Sequence, residues 1–206
     1  MQTVTHVEVL VEEYSAEEAL NNLLPKLLPP DVDFKVIHFR GKPDLLNKLP
    51  DRLKGYRSWL PDDWRIVVIC DRDSEDCLAL KQKLEDIATK TGFTTPSTAS
   101  NDQFHVLNRI AIEELEAWFL GDASAIAKAY PKVKETFATQ NKYRLPDEIS
   151  GGTWEALERL LRNKGYHPGG LNKVEAARAI SLHMKPECNR SVSFQQFCTG
   201  LSALVR

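Results

Sequence analysis

Two carboxylates one residue apart, Asp71 and Asp73, directly follow five apolar residues at positions 66–70. Such a run, with four β-branched members, is typical of a strand buried on both faces of a parallel sheet. In open α/β sheets ligands bind at the carboxyl ends of the strands, where this pair would lie. The two carboxylates could hold a hard cation such as Mg²⁺ or Mn²⁺. The simpler alternative is that Asp73 only helps to start the next helix and that Asp71 is satisfied by the backbone or by Arg72.

Further acidic residues follow two other predicted strands. Glu12 comes after residues 3–11, and Glu113 and Glu116 come after residues 104–112. Because the carboxyl ends of parallel strands meet at one edge of a sheet, we expect these side chains to converge with the Asp pair. Clustered carboxylates repel one another and are tolerated mainly where cations neutralise them. Two Mg²⁺ ions about 4 Å apart would bind a scissile phosphate, and an unligated carboxylate could act as general acid or base.

The acidic group after the last predicted strand has two interpretations. Glu113, Glu114 and Glu116 would suit the N-terminus of a helix, where the macrodipole favours each negative charge by about 0.3–1 kcal/mol. The helix-dipole interpretation is sufficient for one or two of these three glutamates. Glu113 and Glu116 are three residues apart and would lie near one face of the helix. We therefore predict Glu116 as an additional metal ligand, or a contact to metal-bound water, and Glu113 as the next candidate.

The remaining pattern predicts an open α/β fold. Apolar, β-branched stretches alternate with amphipathic ones in the order β-α-β-α-β-α-β-α, which is typical of an open, mostly parallel, Rossmann-like sheet. Ser15 and Glu18 form a capping-box pattern at the start of the first helix, and Ser74 is expected to open the third. The predicted strands are 3–11, 34–39, 66–70 and 104–112, the helices are 15–28, 44–56, 74–91 and 113–119, and a loop rich in Ser, Thr, Pro and Asn spans 94–102.

Helical patterns dominate the chain after Asp122. The predicted helices there are 123–130, 153–163, 173–184 and 193–204. They are too few and too weakly apolar for an independent domain, so we expect them to pack on the sheet. The chain is thus divided into an α/β core at 1–122 and a helical extension at 123–206.

The composition is that of a soluble globular protein, with 206 residues, 42% hydrophobic and 27% charged. No apolar run approaches the roughly 20 residues that cross a bilayer, and no signal-peptide pattern is visible, so we expect a cytoplasmic protein without a membrane segment. The four cysteines form no Cys-x-x-Cys pair and are expected to be reduced. Residues 1–127 carry 14 basic and 22 acidic side chains, whereas residues 128–206 carry 13 basic and 7 acidic ones. This asymmetry would suit a polyanionic substrate, and it also falls within ordinary surface variation.

Several common motifs are absent from the sequence. There is no Walker A loop and no Gly-x-Gly-x-x-Gly, and the five histidines lack the spacing of a zinc site. Haloacid-dehalogenase-type phosphatases also carry Asp-x-Asp after a strand, but normally after the first strand and followed by a Gly-Thr-like pair. Here Ser74 and Glu75 follow instead. These differences argue against that phosphatase family, but the shared Asp-x-Asp keeps a magnesium-dependent phosphohydrolase acting on a small substrate as an alternative.

The segments at 9–12 (Val-Leu-Val-Glu) and 67–73 (Val-Val-Ile-Cys-Asp-Arg-Asp) together resemble the toprim domain. That domain occurs in topoisomerases, bacterial primases, small ribonucleases and the overcoming-lysogenization-defect nucleases. The resemblance implies a general acid/base or metal-ligand role for Glu12 and metal-ligand roles for Asp71 and Asp73.

The first of these motifs departs from the common form. Glu13 stands where a glycine usually follows the glutamate, so the backbone turn there can differ. The sequence leaves open whether Glu12 or Glu13 faces the site.

Residues 112–120, together with Lys173-x-x-Ala-Ala-Arg178, resemble a narrower and largely uncharacterised bacterial toprim-like family. Its members are often encoded beside ATP-binding-cassette-like ATPases and are suspected of roles in phage defence. The resemblance implies Mg²⁺- or Mn²⁺-dependent cleavage of phosphodiester bonds in DNA or RNA. Lys173 and Arg178 would then contact substrate phosphate, unless they are only solvated helix charges. The alternative from another class is a non-catalytic partner or regulatory subunit of an ATPase.

Overall fold

The computed structural model describes residues 3–100 and 103–206. Within these residues four strands form one all-parallel sheet in the order β2-β1-β3-β4. The strands are β1 (His6–Val11), β2 (Asp33–His38), β3 (Trp64–Asp71) and β4 (Val106–Ala111). The predicted open, parallel α/β sheet is confirmed.

Eight α-helices connect and extend this sheet in the described part of the chain. They are α1 (Tyr14–Leu27), α2 (Lys42–Trp59), α3 (Cys77–Lys90), α4 (Glu116–Gly121), α5 (Ala123–Ala129), α6 (Thr153–Arg162), α7 (Lys173–His183) and α8 (Val192–Leu204). Each predicted helix is present, with ends shifted by a few residues. None of the described helices is long and apolar enough to cross a membrane.

Two predicted helix caps, Ser15 and Ser74, are wrong. Helix α1 begins at Tyr14, before the expected cap Ser15, and no side chain caps it. Helix α3 begins at Cys77 rather than at Ser74, because the carboxylate of Asp76 accepts a hydrogen bond from the backbone N–H of Ala79 at 2.8 Å. The intervening residues form a turn. The predicted loop at 94–102 is present over 94–100, and its last two residues lie outside the described part of the chain.

Helices cover both faces of the sheet, so strand residues are buried in alternation against two layers. One apolar cluster joins Val9 and Val67 to α1, α7 and α8. The other joins Leu10 and Val68 to α2 and α3. Because β1 and β3 are buried on both faces, their sequences are almost continuously apolar. These two central strands provide a rigid base for the residues at their carboxyl ends.

The C-terminal helices α7 and α8 contact helix α1 and strand β4. Helix α7 lies along α1, where the ammonium of Lys26 donates to the carbonyl oxygen of Ser181 at 2.9 Å. Helix α8 lies against β4, and Phe197 stacks on Trp118 with ring centroids 5.1 Å apart. The four cysteines are free thiols, in agreement with the expected reduced state.

Asn189 bridges α4 and α8, and we expect Asn189→Ala to lower the free energy of unfolding by about 2 kcal/mol. The side chain is 2% exposed; its amide donates to the carbonyl oxygen of Trp118 at 2.8 Å and accepts from the N–H of Ser191 at 2.9 Å. Truncation leaves both backbone groups buried without a partner. Urea unfolding would measure the loss, with the exposed Asn163→Ala as a matched control that changes it by less than about 0.5 kcal/mol. Equal losses in the two variants would contradict this bridging role.

Candidate metal centre

The strand order of the sheet reverses between β1 and β3. Helix α1 leads from β1 to its neighbour β2, and α2 then returns to β3 on the other side of β1. At such a switch point the connections leave the two strand ends in opposite directions and open a crevice between them. Val11 pairs with Ile69 in the strand register, so the residues that follow each strand are close neighbours.

Glu12 occupies this crevice. Its Oε1 atom accepts a hydrogen bond from the backbone N–H of Asp71 at 2.8 Å and one from the thiol of Cys70 at 2.9 Å. Burial raises the pKa of Glu12, although these two hydrogen bonds oppose the shift. Glu12 is 7% exposed, whereas Glu13 is exposed at the rim of the cleft, where it accepts a hydrogen bond from Ser15. Glu12 is therefore the residue bound to the end of β3.

Asp71 and Glu116 line the same small cleft as Glu12. The free space between them is about 10 Å³, which is room for roughly one water molecule. Among the described residues the Asp71 carboxylate has no hydrogen-bond or ion-pair partner. Removal from water, followed by the charges of Glu12 and Glu116, raises its pKa well above the usual range. Glu116 is 4% exposed, and burial raises its pKa to about 7.

Lys173 brings a positive charge to this cleft from the first turn of α7. Its ammonium lies 3.8 Å from Oε1 of Glu116 and 5.5 Å from the ring centre of Trp154. Burial by itself would lower the pKa of Lys173, but Glu116 and the nearby carboxylates outweigh it and raise the pKa. Arg178 lies further along α7, where it is paired with Glu18 at 2.7 Å and largely exposed. Of the two predicted phosphate contacts, only Lys173 lines the cleft.

The carboxylate of Asp73 forms an ion pair with Lys42, a residue that the sequence analysis did not identify. Its Oδ2 atom is 2.7 Å from the ammonium of Lys42, and its backbone has a φ of 49°. Lys42 is 8% exposed and begins α2, directly after Gly41. The N–H of Gly41 donates to the carbonyl oxygen of Glu12 at 2.9 Å, which fixes the start of α2 beside the end of β1. The signal in the sequence was Gly-Lys-Pro at a helix start just after a strand.

The three acidic residues after β4 have three different surroundings. Glu113 forms an ion pair with Arg72 beside the cleft. The carboxylate of Glu114 accepts hydrogen bonds from the backbone N–H groups of Thr153 and Trp154 at 3.1 and 3.0 Å, and so caps α6. The interpretation as a charge at the start of the following helix is wrong for Glu114, which caps a helix 39 residues later, whereas Glu116 does lie in the first turn of α4. Only Glu116 lines the cleft with Glu12 and Asp71.

The donor atoms at this site fit a hard divalent cation. Carboxylate oxygens are the ligands that Mg²⁺ and Mn²⁺ prefer, and the Asp71 carboxylate is without a partner among the described residues. In the part of the chain that the structure describes, no three acidic, histidine or cysteine side chains are close enough to hold a metal as they stand. Asp71 and Glu116 would need a change of side-chain rotamer to share one ion, and water would complete its coordination, as is usual for Mg²⁺.

Comparison with known proteins gives a family for the chain. No curated protein matches it, and no solved structure matches it. A family model described as a domain of unknown function, DUF4276, matches residues 11–202 and includes every residue of the cleft. The chain therefore belongs to the DUF4276 family.

Proposed function

We propose that this protein cleaves phosphodiester bonds in nucleic acid with Mg²⁺ or Mn²⁺ as cofactor. The observation that carries the proposal is the meeting of Glu12, Asp71 and Glu116 in one cleft at the switch point of a parallel sheet. Carboxylates so placed are costly to ionise without a cation: burial, followed by the charges of Glu12 and Glu116, raises the pKa of Asp71, and burial raises the pKa of Glu116. The resemblance to the toprim domain supports the same chemistry.

A bound divalent cation would supply Lewis-acid polarisation of the phosphate and neutralise its charge. Asp71 and Glu116 are the side chains that would hold it. Glu12, whose pKa is raised by burial, would serve as general acid or base. Lys173 would contact a non-bridging phosphate oxygen, because its ammonium lies at the mouth of the cleft beside Glu116.

A second candidate is a non-catalytic partner of an ATP-binding-cassette-like ATPase in the cytoplasm, with a role in phage defence. The observation that favours it is the engagement of Asp73 by Lys42, which leaves the second carboxylate of Asp-x-Asp outside the cleft. A phosphohydrolase for a small phosphate ester is a third candidate. The cleft has room for about one water, so its residues could contact the phosphate group of a substrate but not enclose the rest of it.

A nicking assay separates these candidates. We expect the wild-type protein with Mn²⁺ to convert supercoiled plasmid to open circles, and Glu12→Gln to reduce the rate by about 100-fold or more. Lys173→Gln should also slow cleavage, whereas Arg178→Gln on the same helix should not. Parallel reactions with single-stranded RNA and with para-nitrophenyl phosphate would report the substrate class.

The outcomes of this assay are distinct. Cleavage that survives Glu12→Gln combined with Asp71→Asn would indicate a contaminating nuclease and contradict the proposal. Cleavage only after addition of an ATPase from a neighbouring gene would indicate a nuclease that needs a partner. No cleavage of any substrate, combined with stable binding to that ATPase, would favour the non-catalytic role.

A further inference from the structure

The ammonium group of Lys42 is surrounded by three oxygen atoms, as a bound metal cation would be. It lies 2.7 Å from Oδ2 of Asp73 and 3.0 Å from Oε1 of Glu75, and it donates to the carbonyl oxygen of Arg72 at 3.1 Å. An ammonium has three donors, and these contacts account for all of them. The oxygens around Lys42 come from the turn after β3, which is where a second metal ion of an Asp-x-Asp site would be coordinated.

The position of this lysine is fixed by the backbone around it. Lys42 begins α2 and is 8% exposed, although lysine is among the residue types least often buried. Gly41 before it has a φ of 86°, a conformation that favours glycine, and its N–H is bonded to the carbonyl oxygen of Glu12. The start of α2 thus ties the lysine to the ends of both central strands.

The charges around the cleft divide into two sets. Asp73 and Glu75 share Lys42, and Glu113 is paired with Arg72. Glu12, Asp71 and Glu116 share only Lys173, the one cationic side chain that lines their cleft among the described residues. With all carboxylates ionised, these three acidic residues and Lys173 have an excess of two negative charges, which one divalent cation balances; Glu13, at the exposed rim of the cleft, adds one further negative charge. The first set already contains its own cation.

We propose that this site binds one divalent cation rather than two, and that the ammonium of Lys42 takes the position of the second. The inference rests on the proposed metal-dependent function and specifies its cofactor requirement. The ion belongs to Asp71 and Glu116, in the cleft that they share with Glu12, and Lys42 keeps Asp73 and Glu75 away from it. The charge of Lys42 also acts on Glu12 and Cys70, so it contributes positive potential to the cleft.

The number of bound Mn²⁺ ions tests this inference without reference to activity. Titration of the full chain with Mn²⁺, followed by electron paramagnetic resonance of the free ion, gives the stoichiometry. We expect one Mn²⁺ in the wild-type protein and two in Lys42→Met, because the variant frees Asp73 and Glu75. The two ions would lie about 4 Å apart, and their magnetic coupling would broaden the bound signal. Lys42→Arg retains the cation and should bind one ion.

Lys48→Met is the matched control, since Lys48 lies on the same helix, is 57% exposed and, among the described residues, pairs only with Asp44. It should bind one ion. Two coupled ions in the wild-type protein would overturn this inference and leave the proposed function intact. One ion in both wild type and folded Lys42→Met would also overturn it. No bound Mn²⁺ in the wild-type protein would overturn the proposed function, and this inference with it. Should Lys42→Met fail to fold, Lys42→Gln, which also removes the charge, takes its place, and one ion rather than two in folded Lys42→Gln would overturn the inference.

Discussion

Asp71→Asn should weaken Mn²⁺ binding by about 100-fold or more, whereas Asp73→Asn should weaken it by less than about tenfold. The carboxylate of Asp71 lies between Glu12 and Glu116 and has no partner among the described residues, so its loss removes a ligand. Asp73 instead pairs with Lys42, and its replacement alters only the surroundings of the ion. Isothermal titration calorimetry at pH 7.5 measures both affinities under conditions in which Glu116 is largely ionised.

The control for these Asp→Asn changes is Asp51→Asn. Asp51 is 87% exposed and pairs only with Lys54 in the described part of the chain, so its replacement should leave Mn²⁺ binding unchanged. Equal weakening in Asp71→Asn and Asp73→Asn would show that both carboxylates of Asp-x-Asp hold the ion. It would also contradict the assignment of Asp73 to Lys42. Thermal unfolding of each variant without metal separates lost binding from lost folding.

The sheet could be predicted from the sequence because its signals are local. The apolar run at 66–70 is long enough for a strand and too short for a helix of ordinary length. The stripe of Leu20, Leu23 and Leu24 follows a helical period, and all three side chains are buried in α1. Since consecutive parallel strands need helical crossovers, the alternation of elements then fixes the fold class. That fold class places Glu12 and Asp71 at one edge of the sheet, and the pairing of β1 with β3 then makes them neighbours.

The partners of individual carboxylates could not be predicted, because they depend on side-chain direction and on distant segments. Glu114 caps α6, whose first residue is 39 positions later. Asp73 turns to Lys42 because its backbone adopts a left-handed conformation, with a φ of 49°, that aspartate only occasionally takes. A capping-box pattern at Ser15 was misleading because Glu13 and Tyr14 extend the helix by one residue at its start. Hydrophobic periodicity carries no information on any of these choices.

In metal-free protein, the free energy of unfolding should fall as the pH rises from 5 to 8, and Glu116→Gln should remove about 2–3 kcal/mol of that fall. The pKa of Glu116 is about 7 in the folded chain, against an ordinary value of 4.5. Between these values the folded state keeps a proton that the unfolded state has lost. Stability is therefore present at low pH and is lost as the pH rises through this window. Urea unfolding at several pH values measures the slope.

Mn²⁺ provides the second half of this test, because it binds the ionised carboxylates that destabilise the metal-free fold. At about 100 times its dissociation constant it should restore close to 2.7 kcal/mol at pH 8, and far less at pH 5, where Glu116 is protonated. Glu135→Gln, at an exposed position, should follow the wild-type curve with and without metal. Identical pH slopes in wild type and Glu116→Gln would mean that Glu116 is ionised at no cost to the fold. The electrostatic reason for a cation in the cleft would then rest on Asp71 and Glu12 alone.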